Sequence, residues 1–193
     1  MPPLGNDIVD IVEGQKHRPQ FYERLKSLHY TSSEFSLFEG LKEPFAIWLL
    51  WTIKEAAYKM VTQTTWKKRF SGKYFEVLNI LFSDSQASGT IHFKTNKYPF
   101  LSRWTDRYIY TSCSPKYHDG IKEHIIGLAS SAYIKQSVEL KKLAEDSFFK
   151  QTKINVKIKK DHHGIPHFHT IKELPNALTL THHGLYGAFA FEV

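Results

Sequence analysis

The sequence predicts an α+β fold in which an antiparallel sheet packs against one central helix. Three observations predict it: a helical run over 44–61 that is apolar nearly all round in its first half, a series of β-rich segments from about residue 70, and a return to helical spacing near residue 137 before the chain ends on strands. With 193 residues and 41% hydrophobic side chains, the chain can bury one sizeable core, and it reads as a single domain over 1–193. Its 15% aromatic content excludes a disordered chain.

The elements follow in order. "NDIVDIV", bounded by Gly5 and Gly14, is β-branched and reads as a first strand. "RPQFYERLKSLHY" has helical patterning. In "TSSEF", Thr31 or Ser32 serves as an N-cap with Glu34 close behind, which starts another helix. Pro44 suits the first turn of "PFAIWLLWTIKEAAYKMV", because its missing N–H is not needed there. That helix has almost no polar face at its start and belongs in the core. "YFEVLNILF", "SGTIHFK", "DRYIYTSCS" and "HIIGLASSAY" read as strands, and "SVELKKLAEDSFFKQ" as a helix. "KINVKIKK" alternates apolar and basic as a half-exposed strand does, the turn "DHHGIP" follows, and "ALTLTHHGLYGAFAFEV" is a strand pair around a loop. No convincing internal repeat is visible.

Lys and Arg total 26 against 19 Asp and Glu, a net charge of +7. Such a cation suits anionic partners: phosphorylated metabolites, acidic proteins, nucleic acid or membrane surfaces. A single cysteine, Cys113, allows no intramolecular disulfide and points to a reducing compartment. Acids in "MPPLGNDIVDIVEG" stand where a signal peptide needs an apolar stretch, and "FAIWLLW" is too short to cross a bilayer. The expectation is a cytoplasmic protein with no membrane partner.

Three constellations carry chemistry. In "GNDIVDI", aspartate is a poor strand former, and alternation puts Asp7 and Val9 on one face with Asp10 opposite. Either Asp7 ends a turn and Asp10 meets solvent, or Asp7 is a carboxylate ligand for a hard cation such as Mg²⁺. In "WTIKEAAYK", Trp51, Glu55 and Lys59 fall on one helical face. A plain surface Glu–Lys pair at this spacing contributes roughly 0.2–0.5 kcal/mol. On so apolar a helix, however, charges need a partner, a metal or a ligand. In "TLTHHG", two adjacent histidines are ligands, phosphate contacts or exposed loop residues. The nearby His162, His163, His167 and His169 lack the cysteines and tight spacing of a structural zinc site.

Taken in this order, "GNDIVDI", "WTIKEAAYK" and "TLTH" resemble the 4'-phosphopantetheinyl transferase superfamily, with its Gly-x-Asp strand, its W/F-x-x-K-E-A-x-x-K helix and the C-terminal Ser-x-Ser-His strand of its compact members, the holo-acyl-carrier-protein synthases. "HYTSSEF" and "INVKIKKDHHGIPHF" are similar to further family segments. The resemblance implies that fold, with residues of about 65–150 as an enlarged β-rich middle segment. It implies transfer of phosphopantetheine from coenzyme A to a serine of an acyl or peptidyl carrier protein, with Mg²⁺, releasing adenosine 3',5'-bisphosphate. By the same resemblance Asp7 and Glu55 are the metal ligands, and Lys59, with Lys54 a further candidate, contacts phosphate. His182 meets the coenzyme A phosphates, and Gly164 and Pro166 form the turn near the adenine. Glu55, or a water that it activates, is the base, and Asp10 is a supporting or alternative carboxylate. Thr179 and Thr181 replace the two serines and keep the hydroxyls. Compact members are trimers and longer ones single-chain pseudo-dimers, so the resemblance leaves trimer or monomer open.

Two other readings stand beside this one. A family member that binds carrier protein or coenzyme A without transfer accounts for the altered residues. A nucleic-acid module would use the aromatics near lysines in "HFKTNKYPF" and "TTWKKRFSGKYF", but no recognisable binding motif accompanies them, and the expectation is no nucleic acid.

Overall fold

Apolar side chains nearly all round the first half of one helix leave it no place but the interior, and the architecture is built round that helix. The computed structural model describes residues 3–65, 70–116, 120–171, 174 and 176–193. In chain order these form β1 (Gly5–Asp10), α1 (Ile11–Gly14), α2 (Pro19–His29), α3 (Ser32–Ser36) and α4 (Glu43–Thr65). There follow β2 (Phe75–Ser83), β3 (Gln86–Phe93), β4 (Asn96–Trp104), β5 (Tyr108–Cys113) and β6 (Ile121–Gly127), then α5 (Tyr133–Thr152), β7 (Lys157–Lys160), β8 (Pro166–His169), β9 (Leu178–His183) and β10 (Tyr186–Glu192). The α+β class with antiparallel sheets is as expected. No helix is long and apolar enough to cross a membrane among the described residues.

Three local expectations need correction. The first strand stops at Asp10 rather than running on, because the Asp10 carboxylate accepts from the N–H groups of Val12 and Glu13 and caps α1. "HIIGLASSAY" is a strand only as far as Gly127, and Tyr133 already opens α5. β4 escaped notice because Pro99 argues against a central strand. Pro99 pairs with Thr90 of β3, but the ladder to β5 begins only at Phe100, so no β5 residue is the register partner of the proline, and only the Cys113 thiol reaches its carbonyl, at 3.3 Å.

Strands β1-β5-β4-β3-β2 form one antiparallel sheet, β6-β10-β9 a second, and β7-β8 a hairpin packed near β9. α4 covers the first sheet, with Ile53, Ala57 and Met60 in one core with Val9, Phe100 and Ile109. α5 covers the second, with Leu140, Ala144 and Phe148 against Leu178, Phe189 and Phe191. Each half therefore runs from a strand through a covering helix to four strands, with α1–α3 added before α4 in the first, and the neighbour order 1-5-4 in the first half matches 6-10-9 in the second. The topology repeats although the sequence does not. Residues 65–150 hold β2–β5, which complete the first sheet, and β6 with α5, which open the second half. The halves meet through Ile8, Tyr110 and Ala188, flanked by Ile125 and Tyr186, and through an ion pair of Arg103 with Glu123.

α4 also buries a charge. The side chains of Lys54 and Glu34 are both fully inaccessible, with Lys54 Nζ 2.6 Å from Glu34 Oε1. The same ammonium donates to the carbonyls of Gly72 and Phe75 at 2.9 and 2.6 Å. Glu34 in turn accepts from the N–H groups of Thr31 and Val77, so one ion pair ties α3 and the start of β2 to α4. Burial lowers the Lys54 pKa and the Glu34 charge opposes that. Lys54 is thus fully committed inside the fold. Replacing it by alanine strands a buried carboxylate, and we expect a loss of about 3–5 kcal/mol in urea unfolding. A loss below 1 kcal/mol would contradict this account.

Candidate active site

Gly5 begins the site by letting β1 lie directly on α4. A Cβ there would collide with the carbonyl oxygen of Ala56 and stand 2.5 Å from the backbone nitrogen of Met60. Two residues on, the Asp7 side chain is 11% exposed and faces two elements at once. Its Oδ1 accepts from Lys59 Nζ on α4 at 2.8 Å and from Thr181 Oγ1 on β9 at 2.8 Å. Next to this pair, Asn6 Oδ1 accepts from Thr179 Oγ1 at 2.9 Å. The two threonine hydroxyls therefore bind β9 to β1.

Glu55 lies one turn before Lys59 and is largely buried. Burial first, and then the negative charge of Asp7, push its pKa up to about 7 against the opposing pull of Lys59. The Glu–Lys pair of the motif is thus not a solvated pair of its own: Lys59 is bound to Asp7, and Glu55 shares their field.

Asp7 and Lys59 border a cleft of about 410 Å³, closed on the far side by α5, the β7–β8 turn and β9. Lys160, His163, Gly164, Pro166, Thr181 and His182 line it from that side, together with Tyr133 and Lys141 of α5. The His182 ring packs edge-on to Tyr133 with centroids 4.9 Å apart. Its pKa is lowered, by burial first and then by Lys59, Lys160 and His183, so it stands as a neutral imidazole at neutral pH. Among the described lining residues the charged groups are Lys59, Lys141 and Lys160 against the single carboxylate of Asp7. The balance of charge in the lining is positive, which favours an anion.

Of the residues singled out in the sequence, Asp7, Lys59, His182, Gly164 and Pro166 meet at this cleft. Glu55 adjoins Asp7 and Lys59 without lining it. Lys54 is absent from the cleft, held by Glu34 on another side of α4. Asp10 is absent too, its carboxylate occupied by backbone N–H groups. Lys141, Lys160 and Tyr133 were not foreseen. Only the basic alternation of "KIKK" hinted at Lys160, and nothing local in α5 marked the other two.

The donor set suits a hard divalent cation. Two carboxylates, Asp7 and Glu55, adjoin a cleft bordered by three lysines, and Mg²⁺ is commonly held by one or two carboxylates with substrate oxygens and water. Among the described residues no group of three or more His, Cys, Asp or Glu side chains gathers as a metal cage, around the C-terminal histidines or elsewhere. The lysine–aromatic segment weighed for base stacking lies partly outside the described residues, at 66–69.

A family model described as the 4'-phosphopantetheinyl transferase superfamily matches residues 3–128. No curated protein and no solved structure matches the chain. The matched span includes Asp7, Glu55 and Lys59 and ends before the cleft residues of α5, β7 and β9.

The raised pKa of Glu55 gives a test in the presence of a chelator. The folded state holds this proton more tightly than an unfolded glutamate, whose pKa is about 4.3. The contribution is fully present below that value and is lost as pH rises through about 7. Glu55→Gln removes the dependence. The melting temperature of Glu55→Gln should exceed that of the wild type by a margin that widens between pH 5 and pH 8, and a constant margin would sink the assignment.

Proposed function

The chain belongs to the 4'-phosphopantetheinyl transferase superfamily, and from that premise we propose that it moves 4'-phosphopantetheine from coenzyme A to a serine hydroxyl of an acidic acyl or peptidyl carrier protein. The observation that supports this most directly is the sharing of one cleft by Asp7 and Lys59 of the matched half with Lys160, Thr181 and His182 of the other. A polyanionic thiol cofactor fits a cleft bordered by Lys59, Lys141 and Lys160, and the net charge of +7 steers an acidic carrier toward it.

In the proposed reaction the serine Oγ forms a bond to the phosphorus that carries pantetheine. The bond from that phosphorus to the bridging pyrophosphate oxygen breaks, and adenosine 3',5'-bisphosphate leaves. Asp7 and Glu55 would hold Mg²⁺, which when bound neutralises pyrophosphate oxygens. Lys59 is placed to meet negative charge that develops on the phosphates. His182, neutral and partly buried, offers a ring N–H to a phosphate oxygen. Glu55, or a water that it activates, is the group proposed to take the serine proton. Both halves of the cleft come from one chain, so a second copy is not required to complete it.

Incubation with coenzyme A, Mg²⁺ and an apo-carrier protein should raise the carrier's mass by one phosphopantetheine. Glu55→Gln and Asp7→Asn, the latter keeping an Oδ1 acceptor for Thr181, should each lower the rate by about 10²–10⁴ with the fold retained. Carriers from fatty-acid and peptide synthases that all remain unmodified, with coenzyme A bound but intact, would favour a binding protein without turnover.

A further inference from the structure

Asp10 looks like a third acid of the site in the sequence, yet its carboxylate is used up elsewhere. Oδ1 accepts from the N–H groups of Val12 and Glu13 at 3.0 and 3.2 Å, and Oδ2 accepts from the N–H of Leu185 at 2.9 Å. Its own N–H donates to His183 Nδ1 at 3.1 Å. Asp10 is only 5% exposed and absent from the residues lining the cleft. Its partners Leu185 and His183 flank Gly184, the residue with φ of +59° in the β9–β10 turn, where a Cβ would collide with the Asp10 carboxylate. Gln136 of α5 grips the same turn from the other side through the Gly184 carbonyl.

We infer that Asp10 is a positioning residue: a latch that holds the β9–β10 turn against the end of β1 and so sets where Thr181 and His182 meet the anionic ligand. The latch spans the two halves, because β1 belongs to one and the turn to the other. A carboxylate engaged by three backbone donors has no free role as a base or as a metal ligand. The geometry also explains why Gly184 sits at this position. It supplies the left-handed turn and leaves the space that the carboxylate fills. The effect on catalysis rests on the transferase reading above; the latch itself does not.

Asp10→Asn keeps the volume and an acceptor for the α1 cap but turns an amide toward the Leu185 N–H. Asp10→Ser keeps the cap alone. Hydrogen exchange at the Leu185 amide should be at least about tenfold faster in both variants, the loss of one charge-assisted bond. In turnover the KM for coenzyme A should rise about tenfold with kcat within about threefold and the Mg²⁺ half-saturation unchanged, the pattern of lost binding geometry. Gly184→Ala, which pushes on the carboxylate without altering its charge, should give the same split. Unchanged Leu185 exchange in Asp10→Asn overturns the latch. A fall of 100-fold or more in kcat at unchanged KM makes Asp10 a reacting group and overturns it as well. If the wild type neither binds nor consumes coenzyme A, the transferase reading fails, and Leu185 exchange still decides the latch.

Discussion

One carboxylate oxygen carries much of this structure: Asp7 Oδ1 receives Lys59 from α4 and Thr181 from β9. A carboxylate so nearly buried must be paired, and its partners come from opposite halves of the chain. Closing the halves and assembling the site are therefore one event. β1 is the element on which this depends. It pairs with β5 along its edge, lies on α4 at Gly5, and meets β9 and the β9–β10 turn through Asn6, Asp7 and Asp10. A shift of β1 by one residue would exchange its two faces and lose all of these contacts together.

The repeated topology gives the Asp7 position on β1 a counterpart on β6. Ile8 pairs with Tyr110 in the first half, Ile125 pairs with Ala188 in the second, and these residues pack together where the halves meet. Matching Ile8 to Ile125 brings His124 into the place of Asp7. There His124 Nε2 lies 3.0 Å from Ser147 Oγ on α5, where Asp7 has Lys59 on α4. The histidine stacks on Phe189 and burial lowers its pKa, which keeps it neutral. A neutral His–Ser contact thus stands in the second half at the strand position that carries the acid–lysine pair in the first. The chain retains the symmetry of the scaffold and not that of the chemistry.

The legible part of the site was the part with local spacing. Glu55 and Lys59 are one turn apart on a helix, and Gly5 and Asp7 share one face of a strand, so their grouping needed only periodicity and motif order. Asp10, read as a supporting or alternative carboxylate of the site, instead caps α1 and holds the β9–β10 turn, because a capping carboxylate and a supporting acid have the same local sequence signature. Lys54 misled for a similar reason: its partner Glu34 is recognisable as a capping residue, but nothing local shows that the cap and the lysine share one buried pocket. Residues 65–150 resisted because a strand's place in a sheet depends on partners far along the chain. The walls formed by Lys141 and Lys160 are likewise contributed by elements whose approach to β1 is purely tertiary.

The charge balance of the site argues for what should enter it. Asp7 and Glu55 with Lys59 would leave one uncompensated negative charge in a largely buried place, and the protein answers by holding a proton on Glu55 up to about pH 7. A proton is the smallest cation that can settle that imbalance. If the proposed function holds, a divalent cation held by the same carboxylates would settle it more fully and would leave positive charge over for the phosphates of the substrate. Metal and polyanion would then each lower the electrostatic cost of the other, so their binding should be coupled. On the proposed reading the glutamate and lysine one turn apart on α4 would work together: Glu55 would complete the cation site, and Lys59 holds Asp7 in place beside it.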